Sequence, residues 1–253
     1  MRILCLQTAK PDIDRDLEFD DCIIQPLVDK GHEVSSIGAS DELYDDLFGV
    51  FGLSPIPQVA DERGHDPDDN NPDKALEKAI KHILEFVEEN GPFDVIMGIM
   101  EGAALAYELL DRHIREYGSF FPPPFESAVF VCAHIPWKLN EDPFEPDLFP
   151  FEKSSNKYAV RIPTAHIVGK GTPRHSEALT LQRRCEPKKA ESYDHQGSDI
   201  RPLNRKAAHE VVKVIERVIS GGLNGLQEKI MEDTPNLLKS DESSESTGAR
   251  DNE

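Results

Sequence analysis

The chain has 253 residues, enough for one large domain with a full core, and sets 28 basic against 48 acidic side chains for a formal net charge of −20. That charge repels phosphate backbones and anionic headgroups alike, so nucleic acid and membrane surfaces are excluded as expected partners. No apolar run has the length of a membrane span and the apolar start Met1 to Leu6 is too short for a signal segment, so a soluble, cytoplasmic protein is expected.

In chain order, Arg2 to Leu6 predicts a first buried strand, and the acidic loop Pro11 to Asp21 enters a helix ending near Gly31. Glu33 to Ile37 predicts a second strand. Ser54 to Pro72, rich in Pro, Asp, Asn and Gly, has no periodicity and reads as an irregular surface excursion. From Asp73 the apolar residues Ala75, Leu76, Ala79, Ile80, Ile83, Leu84 and Val87 recur at helical spacing until Asn90-Gly91-Pro92 stops the helix. Val95 to Met97 then predicts a buried strand, Gly98 and Gly102 bracket a tight turn, and a helix begins at Ala103.

Further on, Ser127 to Ala133 and Thr164 to Val168 predict strands, Ser176 to Arg184 a short helix, and Ala190 to Tyr193 a weak last strand. Asn140 to Asn156 is a long loop heavy in Pro, Phe and acids. Arg205 to Ile219 carries Ala208, Val211, Val212, Val214, Ile215 and Val218 as a closing amphipathic helix, with a further short helix at Leu226 to Met231. Strands alternating with helices imply a mainly parallel sheet of six to eight strands in one α/β domain, residues 1–222. Residues 223–253 form an extension whose acidic tail is expected to be disordered from about residue 240. The cysteines Cys5, Cys22, Cys132 and Cys185 include no C-x-x-C pair and read as reduced, mostly buried thiols.

The unit from Gly91 to Ala106 has the parts of a nucleophile elbow except the nucleophile. In G-x-S-x-G a serine sits on a strained strand-to-helix turn flanked by glycines that let strand and helix approach. Here the central residue is Met100, whose thioether cannot be activated by a base.

Four segments in this order, Met1-Arg-Ile-Leu-Cys-Leu6, Leu84 to Ala106, Pro163 to Pro173 and Tyr193 to Pro202, give the chain a resemblance to the fungal-type serine hydrolase family of α/β-hydrolases. The resemblance spans roughly residues 1 to 219. It implies an α/β-hydrolase-like three-layer sandwich with a mainly parallel central sheet, and an esterase or thioesterase ancestry connected with secondary metabolism. The departures fall on the functional positions. The family start continues as L-H-G-x-G, whose turn helps build the oxyanion hole, whereas Leu6 is followed by Gln7-Thr8-Ala9-Lys10. Met100 stands at the elbow serine. Gly169-Lys-Gly-Thr-Pro173 puts Thr172 at the family aspartate of G-x-x-D-P, and His195-Gln-Gly-Ser-Asp-Ile-Arg-Pro202 puts Asp199 at the catalytic histidine of H-x-G-G-H-x-x-P, with His195 at the first, non-catalytic one.

No catalytic residue is therefore assigned, since all three triad positions are substituted. The binding candidates are Gln7, Thr8, Met100, Glu101, Thr172, His195 and Asp199, expected on one edge of the sheet, where such folds place their ligands. Each also has a plainer structural role. Met100 either lines a retained apolar pocket or, the favoured expectation, fills space in a turn that has relaxed, because a long side chain tolerates positive φ poorly. Glu101 suits the helix macrodipole, His195 a turn, and Asp199 a solvated loop. His166, inside an apolar strand, reads as a satisfied core histidine, and neither Ser198 nor Cys132 stands out as a relocated nucleophile.

No metal-ligand spacing or dinucleotide fingerprint is found, so neither metal nor cofactor is expected. The leading expectation is a catalytically degenerate family member kept as a binding or accessory protein for a small apolar acyl or polyketide-like molecule or a partner enzyme. The alternatives are a residual esterase or thioesterase, or a cyclase-like or lyase-like enzyme using Asp199, His195 or Glu101 in the inherited pocket. Oligomeric state is left open.

Overall fold

A computed structural model describes residues 1–7, 20–38, 72–118, 121–134, 158–197 and 205–233. The elements are β1 (Arg2–Gln7), a π-helical turn Asp20–Ile24 running into α1 (Gln25–Asp29), β2 (Glu33–Gly38), α2 (Pro72–Asn90), β3 (Val95–Ile99), α3 (Glu101–Tyr117), β4 (Ser127–Val131), β5 (Thr164–Val168), α4 (His175–Arg183), β6 (Ala190–Asp194) and α5 (Arg205–Asp233). The six strands form one sheet in the order β2-β1-β3-β4-β5-β6. Every pairing is parallel.

The two faces of the sheet explain its apolar runs. Leu4, Leu6, Ile96, Ala128 and Phe130 pack beneath residues of α2, α3 and α4, including Leu76, Ile80, Leu105, Leu109 and Leu181. The alternate residues Ile3, Cys5, Val95, Met97, Val129, Val131, Ala165 and Ile167 pack against Ile23, Leu27 and the apolar stripe of α5. A strand covered on both faces has no solvent side, so its sequence is continuously hydrophobic rather than alternating. β6 lies at an edge and its residues are mostly half-buried, which is why its sequence carries the weakest strand signal.

Reversal of strand order between β1 and β3 creates the crevice at which ligands of open α/β sheets are bound. Close approach of α3 to β3 and to β1 depends on two glycines. A Cβ on Gly98 would lie 2.5 Å from the Ala103 Cα and would collide with the Gly102 carbonyl, and one on Gly102 would collide with the Leu6 carbonyl.

Two expectations need correcting. The closing helix does not stop at Ile219: α5 runs without a break to Asp233, carrying Gly221 and Gly222 within it and absorbing the separate short helix expected at Leu226 to Met231. α3 starts at Glu101 rather than Ala103. The expected excursion before Pro72, the loop Asn140 to Asn156 and the tail from about residue 240 lie outside the described residues. No helix among the described residues is long and apolar enough to cross a membrane.

Candidate functional site

Gln7 ends β1 opposite Ile99, Met100 follows β3, Cys132 follows β4, Gly169 follows β5 and His195 follows β6, so all five share the carboxyl edge of the sheet. Thr8 and Asp199 lie outside the described residues.

The elbow is strained. Met100 has φ 54° and ψ −111°, a region that a non-glycine side chain enters only when its surroundings over-determine it, at a cost on the order of 1–3 kcal/mol. Those surroundings are backbone hydrogen bonds. The Met100 N–H donates to the Val131 carbonyl (2.9 Å), and the Met100 carbonyl accepts from the N–H groups of Ala103 (3.2 Å) and His134 (3.1 Å). The expectation that this turn had relaxed around a long side chain is therefore corrected: the turn is fixed by β3, β4 and α3, and the methionine conforms to it.

Glu101, at the first position of α3, is buried and has a partner the sequence did not indicate. His134 Nδ1 lies 2.9 Å from Glu101 Oε1, with both side chains about nine-tenths buried. A carboxylate at a helix start benefits from the macrodipole, as expected from sequence. It is also tied to the segment after β4, since His134 anchors both the Glu101 carboxylate and the Met100 carbonyl.

Thr172 and His195 meet around Gly169. A Cβ on Gly169 would fall 2.6 Å from His195 Nε2 and 2.8 Å from Thr172 Cγ2, so only glycine leaves room for both. The Thr172 hydroxyl donates to the Gly169 carbonyl (2.8 Å), closing the turn after β5. His195 donates its backbone N–H to Val168 (2.9 Å) and accepts the Gly197 N–H at Nδ1 (3.2 Å). Its Nε2 lies 3.5 Å from Cys132 Sγ. Beside it, Asp194 Oδ1 accepts the N–H groups of Gln196 (2.8 Å) and Lys170 (3.1 Å). Desolvation works to raise the Asp194 pKa, but these two N–H groups outweigh it and hold the carboxyl below the usual range.

His166 is the core histidine the sequence indicated. It is fully buried, 3.0 Å from the Thr164 hydroxyl and packed on Phe130, and burial lowers its pKa to about 4. The described residues also line a cavity of about 570 Å³ between Leu110, Ile114, Phe121, Ile162 and Lys189. It opens beside the amino ends of β4, β5 and β6, at the edge opposite the elbow.

Sequence comparison agrees with this architecture. The serine hydrolase (FSH1) family matches residues 59–211, and the chain belongs to that family. It is 29% identical to Esterase FPY3 of Fusarium mangiferae over 60% of this chain and 68% of that protein. To Hydrolase phiM of Talaromyces stipitatus it is 25% identical over 59% of this chain, spanning 56% of that relative. An uncharacterized hydrolase of Schizosaccharomyces pombe is 31% identical over 68% of this chain and 37% of its own length. The chain thus spans about half or less of the last two relatives. Among solved structures, mouse alpha/beta hydrolase domain-containing protein 10 superposes with a TM-score of 0.50 at 11% identity, covering 87% of this chain and 90% of that one, which shows the α/β-hydrolase fold.

Proposed function

We propose that this serine hydrolase family member does not hydrolyse esters through an elbow serine and serves as a binding or accessory protein. Its ligand on this reading is a small apolar acyl or polyketide-like compound, held in the cytoplasm in the crevice between β1 and β3, alone or with a partner enzyme. The observation that carries the reading is Met100 in the strained elbow geometry. The backbone device that presents a nucleophile is kept, while the side chain it presents has no ionisable proton and cannot attack a carbonyl. Thr172 supports it, because a hydroxyl spent on the Gly169 carbonyl cannot orient an imidazole as a carboxylate does. A half-buried methionine offers instead an adaptable apolar contact. The names esterase and hydrolase carried by the relatives point to acyl compounds as the ligand class.

Two measurements test this. A fluorophosphonate probe should leave the protein unlabelled, and medium-chain acyl compounds should raise its Tm, a shift that Met100→Trp removes without unfolding the chain. Stoichiometric labelling of a serine overturns the reading.

A further inference from the structure

We infer that Cys132 and His195 form an acceptor site for acyl groups carried as thioesters, one strand away from the position where the fold places its serine. Three non-glycine residues among those described have positive φ: Met100 (54°), Cys132 (45°) and Gln196 (56°). All three stand at the carboxyl ends of strands, after β3, β4 and β6. Backbone strain of this kind persists only where the surroundings impose it and gathers at functional sites. Ile99 and Val131 are register partners, so Met100 and Cys132 occupy equivalent positions past the ends of adjacent strands. Cys132 is locked by donating its N–H to Ile167 (2.8 Å), as Met100 is locked by donating to Val131 (2.9 Å). The strand after the elbow thus ends, as β3 does, in a positive-φ residue whose N–H is held by the next strand, here with a thiol in place of the thioether.

The imidazole is built into position. The Sγ to Nε2 separation is 3.5 Å across 63 residues of chain. Gly169 supplies the space for the ring, and the Asp194 carboxylate pins the loop on either side of it through Lys170 and Gln196. Nδ1 accepts the Gly197 N–H, so the neutral ring carries its proton on Nε2 and directs it at the sulfur. His195 accordingly stabilises a Cys132 thiolate by hydrogen-bond donation, a positioning role rather than that of a proton-abstracting base. Among the described residues, the titratable groups next to this pair are Asp194 beside His195, His175 at the start of α4, whose charge acts on Asp194, and His134, two residues after Cys132, with its partner Glu101.

The chemistry balances without a further reactant. Cys132 Sγ attacks the acyl carbonyl carbon, the new S–C bond forms, the C–S bond to the carrier thiol breaks, and the proton given up by Cys132 ends on the departing thiolate. The products are an S-acyl protein and a free thiol. The inference takes its ligand class from the proposed function, but its chemistry rests on the thiol and imidazole alone.

Incubation of the full chain with a decanoyl thioester of N-acetylcysteamine, followed by intact-mass and peptide analysis, tests it. One acyl group should appear on Cys132 and be absent from Cys132→Gly, a substitution that suits the positive φ and keeps the fold. At pH 7 the rate should fall at least about threefold in His195→Phe, because the loss of thiolate is only partly offset by its greater nucleophilicity. The midpoint of its pH profile should move upward, and His195→Gln, which keeps an N–H donor, should recover part of the rate. Failure of Cys132 to acylate, acylation of Cys22 at an equal rate, or indifference to His195 overturns the inference. A Tm shift by acyl compounds with no adduct on Cys132 would leave the proposed function standing and this inference refuted, whereas labelling of a serine would refute the proposed function alone.

Discussion

At the scale of single residues, the elbow shows a backbone dominating a side chain. Met100 adopts φ 54° because β4 and α3 bind its N–H and carbonyl, so replacing it with glycine removes strain of about 1–3 kcal/mol and adds a chain-entropy cost of about 0.5–1 kcal/mol. Met100→Gly is therefore expected to melt no lower than the parent, and Met100→Val clearly lower, because a β-branched residue is least tolerant of this region. A fall of several degrees in the glycine variant would show that thioether packing outweighs the strain. The buried Glu101–His134 pair is a second case. Removing one partner strands the other, so Glu101→Ala should cost about 3 kcal/mol, and a double-mutant cycle with His134→Ala should give a coupling above about 1 kcal/mol. Additive single changes would mean that the pair is solvated in solution.

At the scale of elements, the unit β3-turn-α3 is held by what its glycines lack. Gly98→Ala would press a methyl group into backbone of α3 that has no flexible end to yield, and overpacking of this kind typically costs about 1–3 kcal/mol. Gly169→Ala is more specific, because the atoms it meets belong to the His195 ring and the Thr172 methyl. It should leave the sheet standing and slow iodoacetamide labelling of Cys132 as His195→Phe does. Equal labelling of parent and Gly169→Ala would separate the imidazole from the thiol's reactivity.

At the scale of the whole molecule, two buried groups oppose each other in pH. Asp111 is raised from 3.8 to about 6, chiefly by desolvation and against the nearby Arg115, while burial lowers His166 from 6.5 to about 4. Between pH 4 and 6 the native chain holds a proton at Asp111 that the unfolded chain has released, so stability falls as pH rises. Over the same window the unfolded chain holds a proton at His166 that the native chain refuses, so that contribution to stability rises with pH. The two slopes offset. Relative to the parent, Asp111→Asn should gain stability from pH 4 to 7, and His166→Gln should gain it in the opposite direction, as read by Tm across that range. Parallel responses of the two variants would show that one of these groups titrates normally in the folded chain.

Much of the fold was legible in the sequence because it rests on local pattern. Continuous apolar runs marked the strands buried on both faces, helical periodicity marked α2 and α5, and Gly98 and Gly102 marked the close strand-to-helix contact. The family was equally visible. Tertiary structure alone decided the strain at Met100, which comes from carbonyl and N–H partners on a neighbouring strand rather than from its own side chain. It also decided the partners of Glu101 and of His195, which lie 33 and 63 residues away along the chain. Nothing in local sequence encodes those pairings, because the order β3-β4-β5-β6 sets which strand ends adjoin. Cys132 and His195 consequently read as a buried thiol and a turn histidine until the sheet brings them within 3.5 Å.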